Sequence, residues 1–457
     1  MAEEGLNPPQ RIVSAGADKG AEHTMLTVAV NYLLLLLGVG SSILAARLLG
    51  PEGRGQVAAV MNLAGILSVI SLLGFPDALT YFSGRNKERA RQWMFTAVCI
   101  SFLAAALILC AGHQLVRLML YAQDPALKDM AFLYLLTIFP YIVAGLPFHS
   151  LQGLLELRLW NVMRLIGPLL WLVTLFVAWG QSAAKQIDYR TVLLYYGAAL
   201  YVYPLIVALF AWPKIPGRFC FSGRTALELL KYGIPCLLGG IPRLLNLRLD
   251  QIALAALFQP SLVGMYAVAV SWGAMVTPLA SGIGQVVFPR LALSSSQPRA
   301  VEEAGFALRA LVFATLVLVM LVGFLALLLF VPVFGAEFKA ALPVVLLLVP
   351  AAGISGLAGV ANDILKAFGE PKQAMYAELL GLLATFVLLS LLLQPYQLYG
   401  AALASLLSYS VSLIYALNMI RKKSMSWSKM LLLSRADLKL LSAAVVDCFK
   451  KRRKTVS

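Results

Sequence analysis

The sequence predicts an all-α, polytopic membrane protein with twelve transmembrane helices, and three observations lead to this prediction. Of the 457 residues, 60% are hydrophobic and 13% are charged, whereas ordinary soluble domains are about 25% charged. The mean hydropathy is +0.83. Apolar stretches recur from residue 24 to residue 420, each near the roughly 20 residues that a helix needs to cross a bilayer. This composition excludes a typical soluble protein and a disordered chain.

Twelve apolar stretches have the length of a transmembrane span. Short connections that contain Pro, Gly and charged residues separate them, and no connection is long enough for a soluble catalytic domain. The spans cover 24–49, 56–82, 93–119, 129–153, 158–180, 191–212, 226–258, 263–288, 306–333, 340–367, 373–394 and 398–420. Residues 1–23 are acidic and have no apolar run before Met25, so they indicate a cytoplasmic tail and not a cleaved signal peptide.

The distribution of Lys and Arg orients the spans. With the N-terminus in the cytoplasm, 28 of the 37 Lys and Arg residues fall on the inner side and seven on the outer side. The remaining two, Arg243 and Arg248, fall inside the seventh span. Cytoplasmic loops carry an excess of positive charge, so this bias predicts a multi-pass protein of the inner (plasma) membrane with both termini in the cytoplasm.

An internal repeat relates the two halves of the chain. The outer turns after the first and seventh spans share three residues at a shift of 209 positions. The matched sets are Pro51, Gly55 and Ala58, and Pro260, Gly264 and Ala267. Six spans per half give both halves the same orientation. The sequence therefore predicts two six-helix lobes, 24–225 and 226–420, around a central cavity and related by a pseudo-two-fold axis along the membrane normal.

Three segments carry a resemblance to a known family. Residues 45–55 (AARLLGPEGRG), 249–254 (LDQIAL) and 263–269 (VGMYAVA) resemble the corresponding turns and helices of Wzx-type flippases. These flippases belong to the multidrug/oligosaccharidyl-lipid/polysaccharide (MOP) superfamily. The resemblance implies a MATE-like bundle that moves undecaprenyl-diphosphate-linked oligosaccharide (O-antigen, capsule or exopolysaccharide repeat units) from the inner to the outer leaflet by alternating access. The motifs do not identify the sugar, and some of them also occur in other members of the superfamily.

Cations and amides at membrane depth are the candidate substrate-binding groups, because an ionisable side chain there usually faces a cavity or a partner. The diphosphate implied by the resemblance suits arginine, whose planar fork binds two oxygens. The predicted substrate-binding residues are Arg47, Arg54, Arg243, Arg248, Asn31, Asn62 and Asn246. For the arginines the alternatives are an internal ion pair with Asp and interfacial anchoring. For the asparagines the alternative is a hydrogen bond between helices.

Three carboxylates are candidates for ion coupling or gating. Asp77 lies at the inner end of the second span, and capping or an ion pair with Arg85 is its alternative role. Asp250 shares one face of a continuous seventh helix with Arg243 and Asn246, and a structural role is favoured for it. Asp363 ends the tenth span three residues before Lys366, a spacing that favours an ion pair on a helix.

The C-terminal segment 421–457 is strongly basic, with apolar residues at roughly helical spacing. It predicts an amphipathic cytoplasmic helix attracted to anionic membrane lipid. The other expected partner is the lipid-linked glycan itself. A monomer is expected, with a glycan polymerase or glycosyltransferases as further partners and with no nucleic acid.

The main alternative function is a cation-coupled multidrug or toxin exporter of the same superfamily. Exporters of lipophilic cations favour buried carboxylates, whereas the seventh span has two arginines and one aspartate, which favours an anionic substrate. An enzyme is not predicted, since the outer loops are short and carry no nucleophile or phosphate-loop motif. No catalytic residue, metal ion or cofactor is predicted.

Overall fold

The computed structural model describes residues 8–182, 187–278, 280, 298–368, 370–422, 427 and 430. Throughout these ranges the regular structure is helical, with no strand. The fourteen described α-helices are α1 (Pro8–Ser71), α2 (Phe75–Arg85), α3 (Ala90–Cys110), α4 (Gly112–Met119), α5 (Pro125–Tyr134), α6 (Ile138–Gly153), α7 (Leu157–Ser182), α8 (Tyr189–Phe210), α9 (Gly223–Asn246), α10 (Leu249–Leu257), α11 (Pro260–Gly273), α12 (Pro298–Phe334), α13 (Leu342–Ala367) and α14 (Pro371–Arg421). The predicted all-α class is confirmed.

Every predicted span overlaps one or more of these helices. The first span and most of the second merge in α1, which bends at Gly50 (φ 63°), and the second span ends in α2. The last two spans merge in α14, which bends at Gln397 (φ 47°). Glycine adopts a left-handed φ at little cost because it lacks a Cβ. Among the described residues, eight helical segments are long and apolar enough to cross a membrane. The count of twelve stays a prediction, since the eighth span ends in 281–288, outside the described residues.

The helix surfaces are apolar on the outside as well as the inside. On α3, Leu103 and Leu107 are 63% and 65% exposed, and Leu118 of α4 is 74% exposed. Long helices that expose rows of leucine are unfavourable in water. They are stable in lipid, because an α-helix bonds its backbone polar groups internally. The chain is a multi-pass membrane protein.

The described chain forms two compact units. Unit one comprises Met1–Ser271 and Val333–Ala341, and unit two comprises Trp272–Pro332 and Leu342–Ser457. In unit one, a cluster of Ala45, Leu175, Ala178 and Val192 joins α1, α7 and α8. Unit one extends well past residue 226, where the second lobe is predicted to begin. The lobe boundaries and the central cavity stay predictions.

The two repeat motifs meet each other inside unit one. A Cβ atom added to Gly55 of α1 would overlap the backbone oxygen of Pro260, and one added to Gly264 of α11 would overlap the backbone oxygen of Pro51. In each motif the glycine therefore packs against the proline of the other motif, as a two-fold relation requires. Glycine is needed at both positions because the backbones of α1 and α11 approach too closely for any side chain.

The C-terminal segment is described only at Trp427 and Met430. Met430 is fully buried in the core of unit two, and Trp427 packs against the same cluster with the Arg421 guanidinium 5.6 Å from its ring centroid. At these two positions the structure differs from the expected membrane-surface helix, because the apolar side chains cover the protein's own helices. Residues 431–457 lie outside the described residues, so the role predicted for the tail stays a prediction.

Candidate functional site

A polar group joins α1 to the start of α10. Arg248 Nη1 donates to Asn62 Oδ1 at 2.6 Å, and Asn62 Nδ2 donates to Gln251 Oε1 at 2.8 Å. The structure thus brings together two of the predicted site residues, Asn62 and Arg248. Gln251 was not predicted, and it fixes the orientation of the Asn62 amide. Arg248 is exposed, so its remaining N–H groups are open to a ligand.

The seventh span is a broken helix. α9 ends at Asn246 and α10 begins at Leu249, with Arg248 between them at φ −130°. Asn246 and Asp250 are buried, whereas Arg243 and Arg248 are exposed. The prediction that Arg243, Asn246 and Asp250 share a face of one continuous helix is wrong, because the chain leaves helical geometry at Arg248.

Asp250 is occupied by protein donors at the beginning of α10. Its Oδ1 accepts from the backbone N–H of Gln251 at 2.7 Å, and its Oδ2 accepts from the Tyr266 hydroxyl at 2.6 Å. Both side chains are almost fully buried. A carboxylate in the first turn also opposes the positive end of the helix dipole. These contacts favour the structural role over ion coupling, and they tie α10 to α11.

We expect Tyr266→Phe and Asp250→Asn to lower the free energy of unfolding by similar amounts, about 1–3 kcal/mol each, because each variant disturbs the same buried hydrogen bond. Thermal or denaturant unfolding of the purified variants measures this loss. Transport per folded molecule should fall little in both. A carboxylate that couples transport to an ion would behave differently: Asp250→Asn would then stop transport while Tyr266→Phe would not.

Arg47 and Arg54 lie on either side of the Gly50 bend and differ in their surroundings. Arg47 Nε donates to the backbone oxygen of Val333 at 2.8 Å, so Arg47 anchors the Val333–Ala341 segment of unit one. The Nε atom of Arg54 is buried and has no hydrogen-bond partner. The structure therefore gives Arg47 a structural contact that neither predicted role included, and it leaves Arg54 as a buried donor.

Asn31 belongs to a second polar group, which joins α1 to α7. Arg164 Nη2 donates to Asn31 Oδ1 at 2.6 Å and Arg164 Nη1 to Asn161 Oδ1 at 3.3 Å. The Asn161 amide donates in turn to Thr27 Oγ1 at 3.0 Å. Asn31 was predicted to lie at membrane depth, but its pairing with Arg164 was not predicted. Arg164 was predicted only to be one of the Lys and Arg residues on the inner side.

Asp77 and Asp363 are the two remaining candidate carboxylates. Asp77 is exposed in the first turn of α2, and Arg85, its proposed alternative partner, donates to the Tyr81 hydroxyl instead. Asp363 of α13, in unit two, accepts from Lys366 Nζ at 3.2 Å. The predicted ion pair between Asp363 and Lys366 is therefore present, and it gives Asp363 a structural contact.

Three of the predicted arginines carry uncompensated charge. Within the part of the chain that the structure describes, no carboxylate lies within ion-pair distance of Arg54, Arg243 or Arg248. A guanidinium at membrane depth is costly unless an anion or water meets it. Arginines that are held in place but lack carboxylates suit the binding of a phosphate or diphosphate group.

The fold is similar to the folds of solved flippases and multidrug transporters. The structure is similar to the lipid II flippase MurJ in its inward closed conformation, with a TM-score of 0.74 and 14% identity over 87% of each chain. An inward-facing MATE multidrug resistance transporter of the MOP superfamily matches with a TM-score of 0.68 and 15% identity, over 88% of this chain and 100% of that one. The MATE multidrug transporter DinF-BH matches with a TM-score of 0.59 and 15% identity, over 91% of this chain and 96% of that one.

A family model described as polysaccharide biosynthesis protein matches residues 21–297, which is more than half of the chain. The chain belongs to this family. No curated protein matches the sequence at a significant level. The predicted membership of the MOP superfamily and the MATE-like helical fold are confirmed.

Proposed function

We propose that the protein flips undecaprenyl-diphosphate-linked oligosaccharide from the inner to the outer leaflet by alternating access. Membership of a polysaccharide biosynthesis family and the fold of MOP transporters support transport as the activity. The observation that carries the choice of substrate is Arg248, which sits at a helix break, bonds to Asn62 and has no acidic partner among the described residues. An anionic head group would supply the missing charge.

The helix break supports a binding role for this region. Irregular backbone at membrane depth is tolerated where it is buried in protein or lines a polar cavity, and transporters use broken helices at their substrate sites. Asn62 and Gln251 orient the Arg248 guanidinium, so the cation is positioned before the substrate arrives. Arg243 and Arg54, the other predicted arginines without an acidic partner among the described residues, supply further positive charge. The chain moves its substrate without making or breaking a covalent bond, so no catalytic group is required.

The proposed setting is the inner membrane, with both termini in the cytoplasm. The substrate comes from glycosyltransferases on that side and passes on to a glycan polymerase on the other. The basic tail contacts anionic lipid of the inner leaflet. The protein acts as a monomer in this proposal, because the repeat supplies two related halves within one chain.

The second candidate is a cation-coupled multidrug or toxin exporter, and the similarity to MATE transporters favours it. A site for lipophilic cations needs an available carboxylate at membrane depth. Asp250, the buried carboxylate at the helix break, is bonded to Tyr266 and to the Gln251 amide. Because these contacts occupy Asp250, the arginines are the charged groups available to a ligand, which favours an anionic substrate.

The test compares glycan-producing cells that contain the parent protein, the Arg243→Ala variant or no copy of this protein. We expect surface glycan to fall at least about tenfold, the loss that one charge-assisted hydrogen bond brings, and the lipid-linked precursor to accumulate in the inner leaflet. Arg117→Ala is the matched control, since it removes an exposed cation of α4 at equal net charge. Membrane fractions report that both variants insert. Normal export by Arg243→Ala would contradict the assignment of that residue, and unchanged export without the protein would contradict the function.

A further inference from the structure

We propose that Arg164 and Asn31 form a second phosphate-binding station on the inner side of the membrane, which receives the diphosphate of the lipid-linked glycan before Arg248 does. The inference rests on the proposed function and adds an order of events to it. It assigns a binding role to Arg164, which the sequence had marked only as one of the cations that orient the spans.

Three neighbours hold the Arg164 guanidinium in one place. It donates to Asn31 of α1 at 2.6 Å and to Asn161 of its own helix at 3.3 Å, and it lies 4.7 Å from the ring centroid of Trp160. Two fixed hydrogen bonds and a stacking surface remove most of the freedom of a long side chain. The entropy of ordering the cation is thus lost on folding and not on binding.

The same contacts leave most of the binding capacity of Arg164 unused. A guanidinium has five N–H donors, and the two hydrogen bonds to amide oxygens engage two of them. Neither acceptor is charged, and among the residues whose side chains the structure describes no carboxylate lies at ion-pair distance from Arg164. The side chain is half-buried, so solvent or a ligand reaches it. A fixed, uncompensated and accessible guanidinium matches a phosphate better than it matches a purely structural contact, for which a neutral amide would suffice.

Arg164 also lies at a useful depth. It is seven residues from Leu157, where α7 begins, which places it about 10 Å along the helix from that end. In the proposed orientation this end faces the cytoplasm. The head group of a lipid in the inner leaflet would meet Arg164 after a short movement from the interface, before it reaches the outer half of the bilayer.

The two arms of α1 repeat the same arrangement. Asn31, before the Gly50 bend, accepts from Arg164, and Asn62, after the bend, accepts from Arg248, both at 2.6 Å. At 1.5 Å per residue the two asparagines lie about 28 Å and about 18 Å from the bend. The Arg164 station is therefore about 10 Å farther inward. The helical hairpin of α1 thus contributes the asparagine of two arginine–asparagine pairs at different depths, an arrangement that suits the movement of an anion in two steps.

The test measures binding of undecaprenyl diphosphate to the full-length protein in nanodiscs of neutral phosphatidylcholine. Arg164→Gln keeps a hydrogen-bond donor for Asn31 and removes the charge, and we expect it to weaken binding at least about tenfold. Arg164→Lys, which keeps the charge, should recover part of the affinity. Arg158→Gln is the matched control, since it removes an exposed cation six residues earlier on the same helix, and it should bind like the parent.

Asn31→Asp separates binding from a structural role. A carboxylate at this position would pair with Arg164 and preserve the link between α1 and α7, so the melting temperature should not fall. The added negative charge would neutralise the station, and binding should drop as it does in Arg164→Gln. A station that serves only structure would show the opposite pattern, with binding unchanged in both variants. Asn31→Asp also keeps the test decisive if Arg164→Gln does not fold.

The remaining outcomes identify the ligand. If phosphatidylglycerol competes with undecaprenyl diphosphate at equal concentration, the station binds ordinary phospholipid and the proposal is overturned. If the parent protein binds no undecaprenyl diphosphate, the proposed function fails, and the inner station fails with it. If the parent binds and both Arg164→Gln and Asn31→Asp bind equally well, only the inner station fails.

Discussion

Replacing Arg54 by Met is expected to stabilise the protein and to reduce transport at least about tenfold. The Arg54 Nε atom is buried and has no hydrogen-bond partner, and an unsatisfied buried donor costs about 1–3 kcal/mol. Methionine has a similar length and fills irregular space without a polar atom. In the proposed function, the same guanidinium contacts the diphosphate, so the stability gained comes with a loss of transport.

Arg47→Met is the matched comparison, because it removes an arginine from the other side of the same bend. Arg47 donates to the Val333 backbone oxygen, so its loss should lower the melting temperature. Thermal unfolding and flipping of a lipid-linked substrate in proteoliposomes measure the two properties for each variant. A lower melting temperature for Arg54→Met, or normal transport by it, would show that the Arg54 side chain serves the fold.

Gly55→Leu should prevent correct assembly of α1 against α11. A Cβ at this position overlaps the backbone of Pro260, and backbone cannot move aside as the end of a side chain does. Overpacking costs about 1–3 kcal/mol where side chains can adjust, and we expect a larger loss here. Gly264→Leu, at the matching position of the repeat, should do the same.

Gly65→Leu provides the control on the same helix. Gly65 is exposed, and no atom lies within 4 Å of a Cβ added there, so leucine should be tolerated. The yield of monodisperse protein after detergent extraction and its melting temperature report assembly. Equal yields of Gly55→Leu and Gly65→Leu would mean that α1 and α11 do not touch at the repeat motifs.

The spans could be predicted from the sequence because lipid imposes a simple rule. A helix that crosses hydrocarbon must be long and apolar, and the charges between the helices record which side they face. The bend at Gly50 could be predicted as a turn because Gly, Pro and charged residues separate two apolar spans there. The break at Arg248 was not, since the stretch around it has the composition of one long span, and a helix break inside the membrane depends on tertiary contacts such as those of Asp250 and Tyr266.

The candidate site was predictable only as a list of residues. Polar side chains at membrane depth stand out in an apolar sequence, and this signal found Asn31, Asn62 and Arg248. Which groups meet depends on how helices far apart in the chain lie together, so the bond between Asn62 and Arg248 was not foreseen. Arg164 was missed because it lies near the inner end of its span, where positive charge is already explained by topology. Tyr266 lies in the segment 263–269 that carries the family resemblance, but its bond to Asp250 could not be predicted from the sequence.

The burial of Met430 and the packing of Trp427 in unit two set a limit for shortening the chain. A protein cut after Lys422 would lose two side chains of the apolar cluster of unit two, and it would uncover the apolar surface against which they pack. A protein that ends after Met430 would keep them. Affinity tags and fluorescent fusions at the carboxyl end therefore belong beyond this residue.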